Sequence, residues 1–574
     1  MQYISIKNKR ILKPNRWDYI ALLTLFAIIV SIGSGARQMS APFQLGQTIA
    51  ISLSPQYLPY YVFQTILRMG AALFFSFLFT FIFATWAAKS RRAEKIIIPL
   101  IDVLQSVPVL AFLSMTIVSF IALFPHSLLG PQCASIFLIF TAQAWNMALS
   151  FYQSLRTVPY DYREAADMFH LSSWQRFWRI EVPFAIPGLL WNTMMSISAS
   201  WFSLVASEAI SVSNQEINLP GIGSYIAVAI RQANAQAVCY AIITMIIVIL
   251  FYDQLLLRPL IQWSEKFKSE QQGQERISRS WVTFLLQHTH VIRYIGEWFT
   301  IFTDAIINFK LFKKRPKKPI ETFINSKTVK MIELGWDLLI YFIIGSALIM
   351  LAHFILKYSS PMEIMHVIGL GCITATRVII LIIICSLIWV PIGVWIGLRP
   401  NVAAIAQPIA QFFAAFPANL LFPIVVVSII KYHLNVEIWA TPLMILGAQW
   451  YILFNVIVGT SAIPKELRMA ADNLSLKGFL WWRRLILPAI YPYYITGAIT
   501  AVGGAWNASL VAEVVNWGGI TLHSTGLGAD LANYTGDYPH TTLGVSIMCL
   551  FVLLLNRLIW RPLYQHAETR FTLN

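Results

Sequence analysis

Long apolar runs recur along almost the whole chain and constrain its fold more than any other feature. Crossing the hydrocarbon core of a bilayer takes about 20 apolar residues in a helix, and a sliding window of about 19 residues finds roughly twelve such runs. The chain is 57% hydrophobic and 12% charged, with a mean hydropathy of +0.64. Because membrane-spanning backbone must satisfy its own hydrogen bonds, we predict an all-α integral membrane protein.

The predicted spans alternate with short loops. In the first half they lie near residues 17 to 33, 62 to 88, 96 to 124, 132 to 152, 184 to 210 and 236 to 256. In the second half they lie near 334 to 355, 369 to 397, 402 to 430, 440 to 459, 489 to 515 and 542 to 560. Lys and Arg mark cytoplasmic loops, and their positions place both termini in the cytoplasm. The N-terminus has the charge layout of a signal peptide, but an uncleaved first span is expected because later segments are also membrane-embedded.

A strongly basic stretch interrupts this pattern. It divides the chain into a first membrane unit (1 to 259), a linker (260 to 330) and a second membrane unit (331 to 574). Within the linker, residues 281 to 309 mix apolar and polar side chains at helical spacing, which predicts an interfacial amphipathic helix on the cytoplasmic side. A membrane-crossing pair is the alternative, disfavoured because His288 and His290 would be costly at bilayer depth.

The second half of the chain repeats the first. A shift of 305 residues carries Trp145 to Trp450, Ala165-Ala166 to Ala470-Ala471, Pro183 to Pro488, Trp201 to Trp506, Glu208 to Glu513, Gly221 to Gly526 and Gly223 to Gly528. Further upstream, a shift of 309 carries Arg68 to Arg377. Self-similarity at a fixed spacing indicates two homologous units fused in one chain, which we call the first and second copy.

A charged segment, residues 156 to 183, interrupts the first copy on its predicted cytoplasmic side. Pro159 and Asp161 suit the first turn of one short helix, and Ser172 or Ser173 can cap another. We predict a pair of short helices with a bend between them.

An apolar stripe lies on the second of these helices, at Trp174, Phe177 and Ile180. Its counterparts in the second copy are Phe479, Trp482 and Leu485. Aromatic residues beside basic ones often anchor a loop at a lipid surface. Recurrence of the stripe in both copies favours docking of a soluble partner.

Residues 164 to 183, EAADMFHLSSWQRFWRIEVP, are similar to the EAA loop of ABC-transporter permeases. That pattern reads E-A-A, three residues, G, nine residues, I-x-L-P, and the sequence matches it in register except that His170, at the predicted bend, replaces the glycine and Val182 replaces the leucine. The second copy has Met469 for the glutamate and Ser475 for the glycine.

In that family the loop is the coupling helix, which sits on an ATPase subunit and transmits its closure to the membrane helices. The resemblance implies an inner-membrane importer permease that works with two ATPase subunits, which carry the ATP and Mg²⁺, and with an extracytoplasmic substrate-binding protein. The implied coupling residues are Glu164, Ala165, Ala166, His170, Trp174, Phe177 and Pro183, with Met469, Ala470, Ala471, Ser475, Trp482 and Pro488.

Two shorter stretches resemble one branch of this family. SVPVLAFL (106 to 113) and LPGIGSYI (219 to 226) look like the nitrate, sulfonate and taurine importers. The branch implies a small solute such as nitrate, a sulfonate or bicarbonate.

No constellation for catalysis is visible. The sequence has no G-x-x-x-x-G-K-[ST] phosphate loop, and its five cysteines show no C-x-x-C spacing. No bound metal or cofactor is predicted. The net charge of +16 lies mainly in short loops and ends, so no binding of nucleic acid is predicted.

The translocation pathway is the least determined feature. The candidates are Trp145, Trp201, Trp450, Trp506 and Asn507. The tryptophans suit interfacial anchoring or a pathway wall equally, and the small residues around Asn507 suit close helix packing or a cavity lining.

Four charged residues fall near the predicted outer ends of spans. Arg68 and Arg377 are expected to snorkel to the lipid headgroups, with an attractive site for an anionic substrate as the alternative. Glu208 and Glu513 are expected to be reached by water.

Two other classes remain open. An ion-driven secondary transporter with internal repeats would carry acids within the membrane, and Asp102 is the deep candidate. A membrane scaffold or sensor that transports nothing is the third possibility.

Overall fold

A computed structural model of the chain describes residues 16 to 42, 49 to 212, 215 to 267, 289 to 308, 326 to 534 and 537 to 570. Helices make up most of these residues, and two short hairpins make up the sheet structure within them. The predicted all-α membrane fold is confirmed. The basic N-terminal residues, most of the linker and His288 lie outside the described ranges.

The helices of the first copy and the linker follow the predicted spans and loops. They are α1 (Arg16–Met39), α2 (Leu58–Phe79), α3 (Thr85–Lys89), α4 (Arg91–Ser106), α5 (Leu113–Leu123), α6 (Leu129–Arg156), α7 (Tyr160–Met168), α8 (Ser173–Arg176), α9 (Val182–Glu208), α10 (Ile222–Arg231), α11 (Ala235–Tyr252), α12 (Arg258–Ser264) and α13 (His290–Ile307).

The helices of the second copy repeat this order. They are α14 (Ser326–Tyr358), α15 (Pro361–Gly397), α16 (Pro400–Ala415), α17 (Phe422–Lys431), α18 (Val436–Ser461), α19 (Lys465–Asn473), α20 (Gly478–Trp481), α21 (Leu487–Ala512), α22 (Leu527–Asn533), α23 (Tyr538–Leu555) and α24 (Arg561–Arg570).

Within the described ranges, eight helical segments are long and apolar enough to cross a membrane. A ninth forms if Pro400–Ala415 and Ala418–Lys431, which meet at 75°, are counted as one broken span. The other three predicted spans correspond to α1, to α4 with α5, and to α9. The predicted set of about twelve spans is therefore present, with six in each copy.

Each copy also contains a β-hairpin that hydropathy does not reveal. In the first copy, β1 (Ala209–Val212) pairs antiparallel with β2 (Gln215–Asn218). In the second, β3 (Val514–Trp517) pairs with β4 (Ile520–His523). The two hairpins obey the same shift of 305 residues as the rest of the repeat. Each hairpin begins where α9 or α21 ends. In a hydropathy profile its first strand therefore cannot be told from the apolar end of that helix.

By packing, the chain divides into two compact units. The first draws on Met1–Ser40, Ser150–Asn192 and Leu250–Ser326, and it holds α1, α7, α8 and α13. The second draws on Ala41–Leu149, Thr193–Ile249 and Lys327–Asn574. Its main core is built around α15, α18 and α21 and includes the fully buried Trp506 and Met444.

Small residues bring the core helices of the second unit close together. A Cβ on Gly504 would lie 2.9 Å from the carbonyl oxygen of Gly447. A Cβ on Gly397 would lie 2.8 Å from the carbonyl oxygen of Ile457. Such backbone approach is how membrane helices gain packing contacts without a hydrophobic driving force. At these positions the small residues serve packing.

Candidate functional sites

The first EAA-like loop is a helix, a left-handed turn and a second short helix. α7 ends in a turn in which His170 has φ 51°. Its N–H donates to the Asp167 carbonyl at 3.0 Å, and the N–H of Leu171 donates to the Ala166 carbonyl at 3.0 Å. This pattern is the Schellman helix ending, which places one residue in the left-handed region. The predicted bend is confirmed.

A capping box starts the second helix of this loop. Ser172 Oγ accepts from the backbone N–H of Gln175 at 3.3 Å, and Gln175 Oε1 accepts from the N–H of Ser172 at 3.1 Å. Of the two serines proposed as caps, Ser172 is the one used. A five-residue π segment, Phe177–Glu181, then joins α8 to α9. Such a bulge is a common response to a nearby proline, here Pro183, that lacks a backbone donor.

The turn of the second loop has the same hydrogen bonds, although the helix after it begins differently: Lys477 makes no side-chain cap and Gly478 has φ 58°. Ser475 has φ 50°, its N–H donates to the Asp472 carbonyl at 2.9 Å, and the N–H of Leu476 donates to the Ala471 carbonyl at 3.0 Å. His170 and Ser475 occupy the position that is glycine in the family pattern. The left-handed backbone explains that glycine, because only glycine adopts such a φ without steric cost.

Ala166 and Ala471 are buried beneath their turns, which accounts for a small residue at this position of each loop. Glu164 is exposed on the first loop and Met469 on the second.

The exposed apolar surface of the first loop lies at its turn, whereas in the second loop Phe479, the first residue of the predicted stripe, is also 78% exposed. Met168 and Phe169 are 81% and 77% exposed in the first loop. In the second loop Leu474 is 73% exposed, next to Ser475. Phe177, by contrast, is buried. Sequence analysis missed Met168, Phe169 and Leu474, because nothing in their spacing separates them from core residues.

The linker helix α13 contacts the first loop. Asn308, just after α13, accepts at Oδ1 from Gln175 Nε2 at 3.2 Å and from Arg179 Nη2 at 3.3 Å. The exposed side chains of α13 include Tyr294, Trp298, Ile301 and Phe302. These recur at helical spacing on one face, as the amphipathic prediction for 281 to 309 requires. Residues 281 to 288 and residue 309 lie outside the described ranges.

A buried charge cluster lies at the predicted outer end of the first copy. Arg68 Nη1 and Glu208 Oε1 are 2.6 Å apart, with neither side chain exposed. Thr65 Oγ1 donates to Glu208 Oε1 at 2.7 Å, and the N–H of Gly223 donates to Glu208 Oε2 at 2.6 Å. Gln132 Oε1 accepts from Arg68 Nε at 2.6 Å. These five residues form what we call the first charge cluster.

The second copy contains an equivalent cluster. Arg377 Nη1 and Glu513 Oε1 are 3.2 Å apart. Thr374 Oγ1 donates to Glu513 Oε1 at 2.9 Å, and the N–H of Gly528 donates to Glu513 Oε2 at 2.7 Å. Arg377 Nη2 also pairs with Glu437. These residues form the second charge cluster, in which Glu437 stands where the first has Gln132.

The glycines of LPGIGSYI are explained by this geometry. A Cβ on Gly221 would overlap the Glu208 carboxylate, and a Cβ on Gly223 would overlap the Val205 carbonyl oxygen. In the second copy a Cβ on Gly526 would overlap the Glu513 carboxylate. The glycines let the short helix after each hairpin approach the buried acid closely enough to donate its backbone N–H groups.

These positions correct two expectations. Arg68 does not snorkel to the headgroups, since its guanidinium is fully buried against Glu208. Glu208 and Glu513 are not exposed to water either. Arg377 is 12% exposed at its side chain and is held by two carboxylates. The four residues form pairs because a buried charge requires an opposite charge and hydrogen bonds.

The second copy carries an additional polar network at the same end. His540 Nε2 lies 2.9 Å from Asp530 Oδ2, and His540 Nδ1 lies 2.6 Å from Glu363 Oε1. The shift of 305 residues places Tyr225 and Ala235 at the positions of Asp530 and His540. The first copy therefore lacks the carboxylate and the imidazole that the second copy carries at these two positions.

Of the four candidate pathway tryptophans, two are buried and two contact other aromatic rings. Trp201 and Trp506 are 1% and 0% exposed. Trp450 stacks on Phe413 with ring centroids 4.8 Å apart, and Trp145 lies edge-on to Phe79 at 5.4 Å. Their rings fill space between helices.

Asn507 donates to the Gly503 carbonyl at 3.1 Å within its own helix. Asp102, the deep acid considered for ion coupling, is exposed on α4.

A doubled set of membrane helices, with an EAA-like loop within each copy, is typical of the membrane-embedded subunit of a transport system. The family model for a binding-protein-dependent transport system inner membrane component matches the chain twice, at residues 79–256 and 389–571. The matches cover more than half of the 574 residues. The chain belongs to this family and is an ABC-transporter permease with two fused units.

Curated relatives of this chain are permease proteins of transport systems. The bicarbonate transport system permease protein CmpB of Synechococcus elongatus is 28% identical over 176 residues, 31% of this chain and 61% of the relative. The nitrate import permease protein NrtB of Leptolyngbya laminosa is 27% identical over 185 residues, 32% and 63% respectively. The taurine transport system permease protein TauC of Escherichia coli is 26% identical over 185 residues, 31% and 62%. The chain thus spans under two thirds of the length of each.

Proposed function

We propose that the two units of this chain form the translocation pathway of an ATP-driven importer for a small anion in the inner membrane. Two ATPase subunits bind its two EAA-like loops, and an extracytoplasmic binding protein delivers the solute. Both termini lie in the cytoplasm. One observation carries the proposal: the two loops share a helix, a left-handed turn and a second helix at the same shift of 305 residues.

The exposed residues of the loops support a docking role. Met168 and Phe169 leave large apolar surface open beside the turn, as does Leu474 in the second loop. Exposed apolar groups rimmed by charged residues are typical of protein contact sites. Schellman bonds close the turn of both loops, and a capping box adds to them in the first. Each turn is therefore stiff enough to transmit a push to the membrane helix that follows.

The proposed substrate rests on the relatives. Their names give bicarbonate, nitrate and taurine, each of which carries an oxyanion group. The charge difference between the two copies supports a pathway that is not symmetric. An asymmetric pathway suits a fused chain, because fusion lets each half change separately.

Reconstitution tests this proposal. The full chain is co-expressed with candidate ATPase subunits, purified, and placed in vesicles with ATP inside and the binding protein outside. We expect an ATPase subunit to co-purify and the uptake of nitrate, bicarbonate or taurine to require ATP. Uptake driven by an ion gradient without any ATPase would overturn the proposal in favour of a secondary transporter.

Glu164→Arg tests the loop itself. Reversing this exposed charge is expected to lower recovery of the ATPase subunit or its stimulation by substrate. Asp304→Arg, an equally exposed change on α13, is the control and should leave both unchanged. Unaltered coupling in Glu164→Arg would remove the role assigned to this glutamate.

A further inference from the structure

We propose that a cavity bounded by residues of both copies is a binding site for a small monovalent oxyanion, with Arg231 as its cationic group. The inference rests on the proposed function and assigns a specific site to it. The cavity lies in the second packing unit and has a volume of about 240 Å³. Its polar lining residues are Asn218 and Arg231 from the first copy and Asn419 and Asn516 from the second.

Helices of both copies form the walls of the cavity. Ala227 and Ile230 of α10 form one wall, and Phe422 and Val426 of α17 form another. A water molecule in the liquid occupies about 30 Å³, so the cavity accommodates a small oxyanion with part of its hydration shell. Its apolar walls exclude the rest of that shell, as is usual for small-ligand sites.

Arg231 is the one charged residue among the described residues that line the cavity. It is exposed and so accessible to a solute, and its Nη2 donates to Asn218 Oδ1 at 3.4 Å. A guanidinium presents five N–H donors in a fork that matches oxyanions. Gly536 stands at the equivalent position of the second copy. A single positive charge neutralises a monovalent anion but only half the charge of a divalent one, so the site favours a monovalent oxyanion.

The amides complete the polar lining. Asn419 Oδ1 is buried and has no hydrogen-bond partner among the described residues. A buried amide without a partner indicates a missing water or ligand. Rotation of the amide about its last bond exchanges oxygen and nitrogen, so this side chain can offer a donor to an anion.

Arg231 is fixed in place by both copies. It ends α10, whose first turn is held by Glu208 through the N–H of Gly223 at 2.6 Å. At the other end of α10, the Ile230 carbonyl accepts from the N–H of Gly518, in the β3–β4 turn, at 3.0 Å. A relative movement of the two copies would therefore change the cavity around Arg231, as release of a transported anion requires.

The test is uptake by the full chain reconstituted with its ATPase and binding protein, using labelled nitrate, bicarbonate and taurine. Arg231→Gln is expected to lower the rate for the transported anion about tenfold, the loss expected for a charge-assisted hydrogen bond. Arg231→Lys should retain a larger share of the rate. Lys431→Gln is the control. Other residues of α17 line the cavity but Lys431 does not, so removing its charge should leave the rate unchanged.

Ala227→Leu is a second variant that narrows the cavity and keeps its charge. We expect it to slow uptake at least as much while the ATPase still co-purifies. Wild-type uptake in either Arg231→Gln or Ala227→Leu would overturn the site, as would a transported anion that proves divalent. Absence of ATP-dependent uptake by the wild-type chain would instead overturn the proposed function, and the site with it.

Discussion

Arg68 and Glu208 lie 140 positions apart in the sequence, and their charged atoms meet at 2.6 Å with both side chains fully buried. The pair joins α2 to the end of α9, at the point where the chain leaves that helix for the β1–β2 hairpin. Arg377 and Glu513 make the same connection in the second copy at 3.2 Å. The two hairpins and the short helices behind them therefore depend on a buried ion pair.

Removing the arginine of the first cluster should be strongly destabilising. Arg68→Ala leaves the Glu208 carboxylate buried without its cation, which costs about 3–5 kcal/mol in comparable buried pairs. The thermal midpoint of the purified chain in detergent should fall clearly. Arg91→Ala, at an exposed position, is the control and should change stability by less than about 0.5 kcal/mol. Equal midpoints for the two variants would contradict the buried pairing.

Gly223→Ala tests the close approach of α10 to α9. The added Cβ would overlap the Val205 carbonyl oxygen and lie 2.9 Å from the Glu208 Cβ, so the backbone must move and the bond from the Gly223 N–H to Glu208 weakens. Overpacking of this kind costs about 1–3 kcal/mol, which a thermal midpoint measures.

Gly369→Ala provides the matched comparison, because nothing lies within 4 Å of a Cβ built there. In that helical setting alanine should raise stability by up to about 1 kcal/mol. If Gly223→Ala and Gly369→Ala shift the thermal midpoint in the same direction, close packing against α9 does not explain the glycine at position 223.

Much of this architecture is predictable from sequence, for physical reasons. Lipid demands long apolar helices, so hydropathy alone locates the spans. The repeat shift places Ala166 with Ala471 and His170 with Ser475, and local capping chemistry at Ser172 predicts the helix pair.

Contacts between distant residues are not predictable in this way. Whether Arg68 reaches the headgroups or a buried acid depends on which helix packs beside it, and hydropathy does not contain that information. One signal was nevertheless present: an arginine and a glutamate recur at matched places in both copies, as expected if they bind each other. The two β-hairpins are not predictable from the sequence, because a four-residue strand directly after a span is too short to show a periodicity of its own.

The left-handed turns predict an unusual pair of stabilising substitutions. His170→Gly and Ser475→Gly relieve a non-glycine residue at φ 51° and 50°, a conformation that costs about 1–2 kcal/mol. Glycine's greater freedom in the unfolded chain offsets part of this gain, leaving roughly 0.5–1 kcal/mol. Hydrogen exchange of the Leu171 and Leu476 amides should slow accordingly. His170→Ala keeps the strain and should bring no such protection.

The two carboxylates that contact Arg377 should respond differently to the same chemical change. Glu513 has no exposed side-chain surface and accepts from Thr374, Gly528 and Arg377. In Glu513→Gln an amide nitrogen replaces an acceptor, and the guanidinium of Arg377 loses the one of its two carboxylates that is fully buried. A loss of about 3–5 kcal/mol is expected.

Glu437 is 44% exposed at its side chain, and Glu437→Gln reproduces the residue that the first copy carries as Gln132. Because solvent screens exposed pairs, the loss should stay below about 1 kcal/mol and shrink further in high salt. Thermal midpoints of both variants at low and high salt measure the contrast. Similar losses for the two variants would mean that burial does not set the strength of these contacts, and that Gln132 and Glu437 are not equivalent in the two copies.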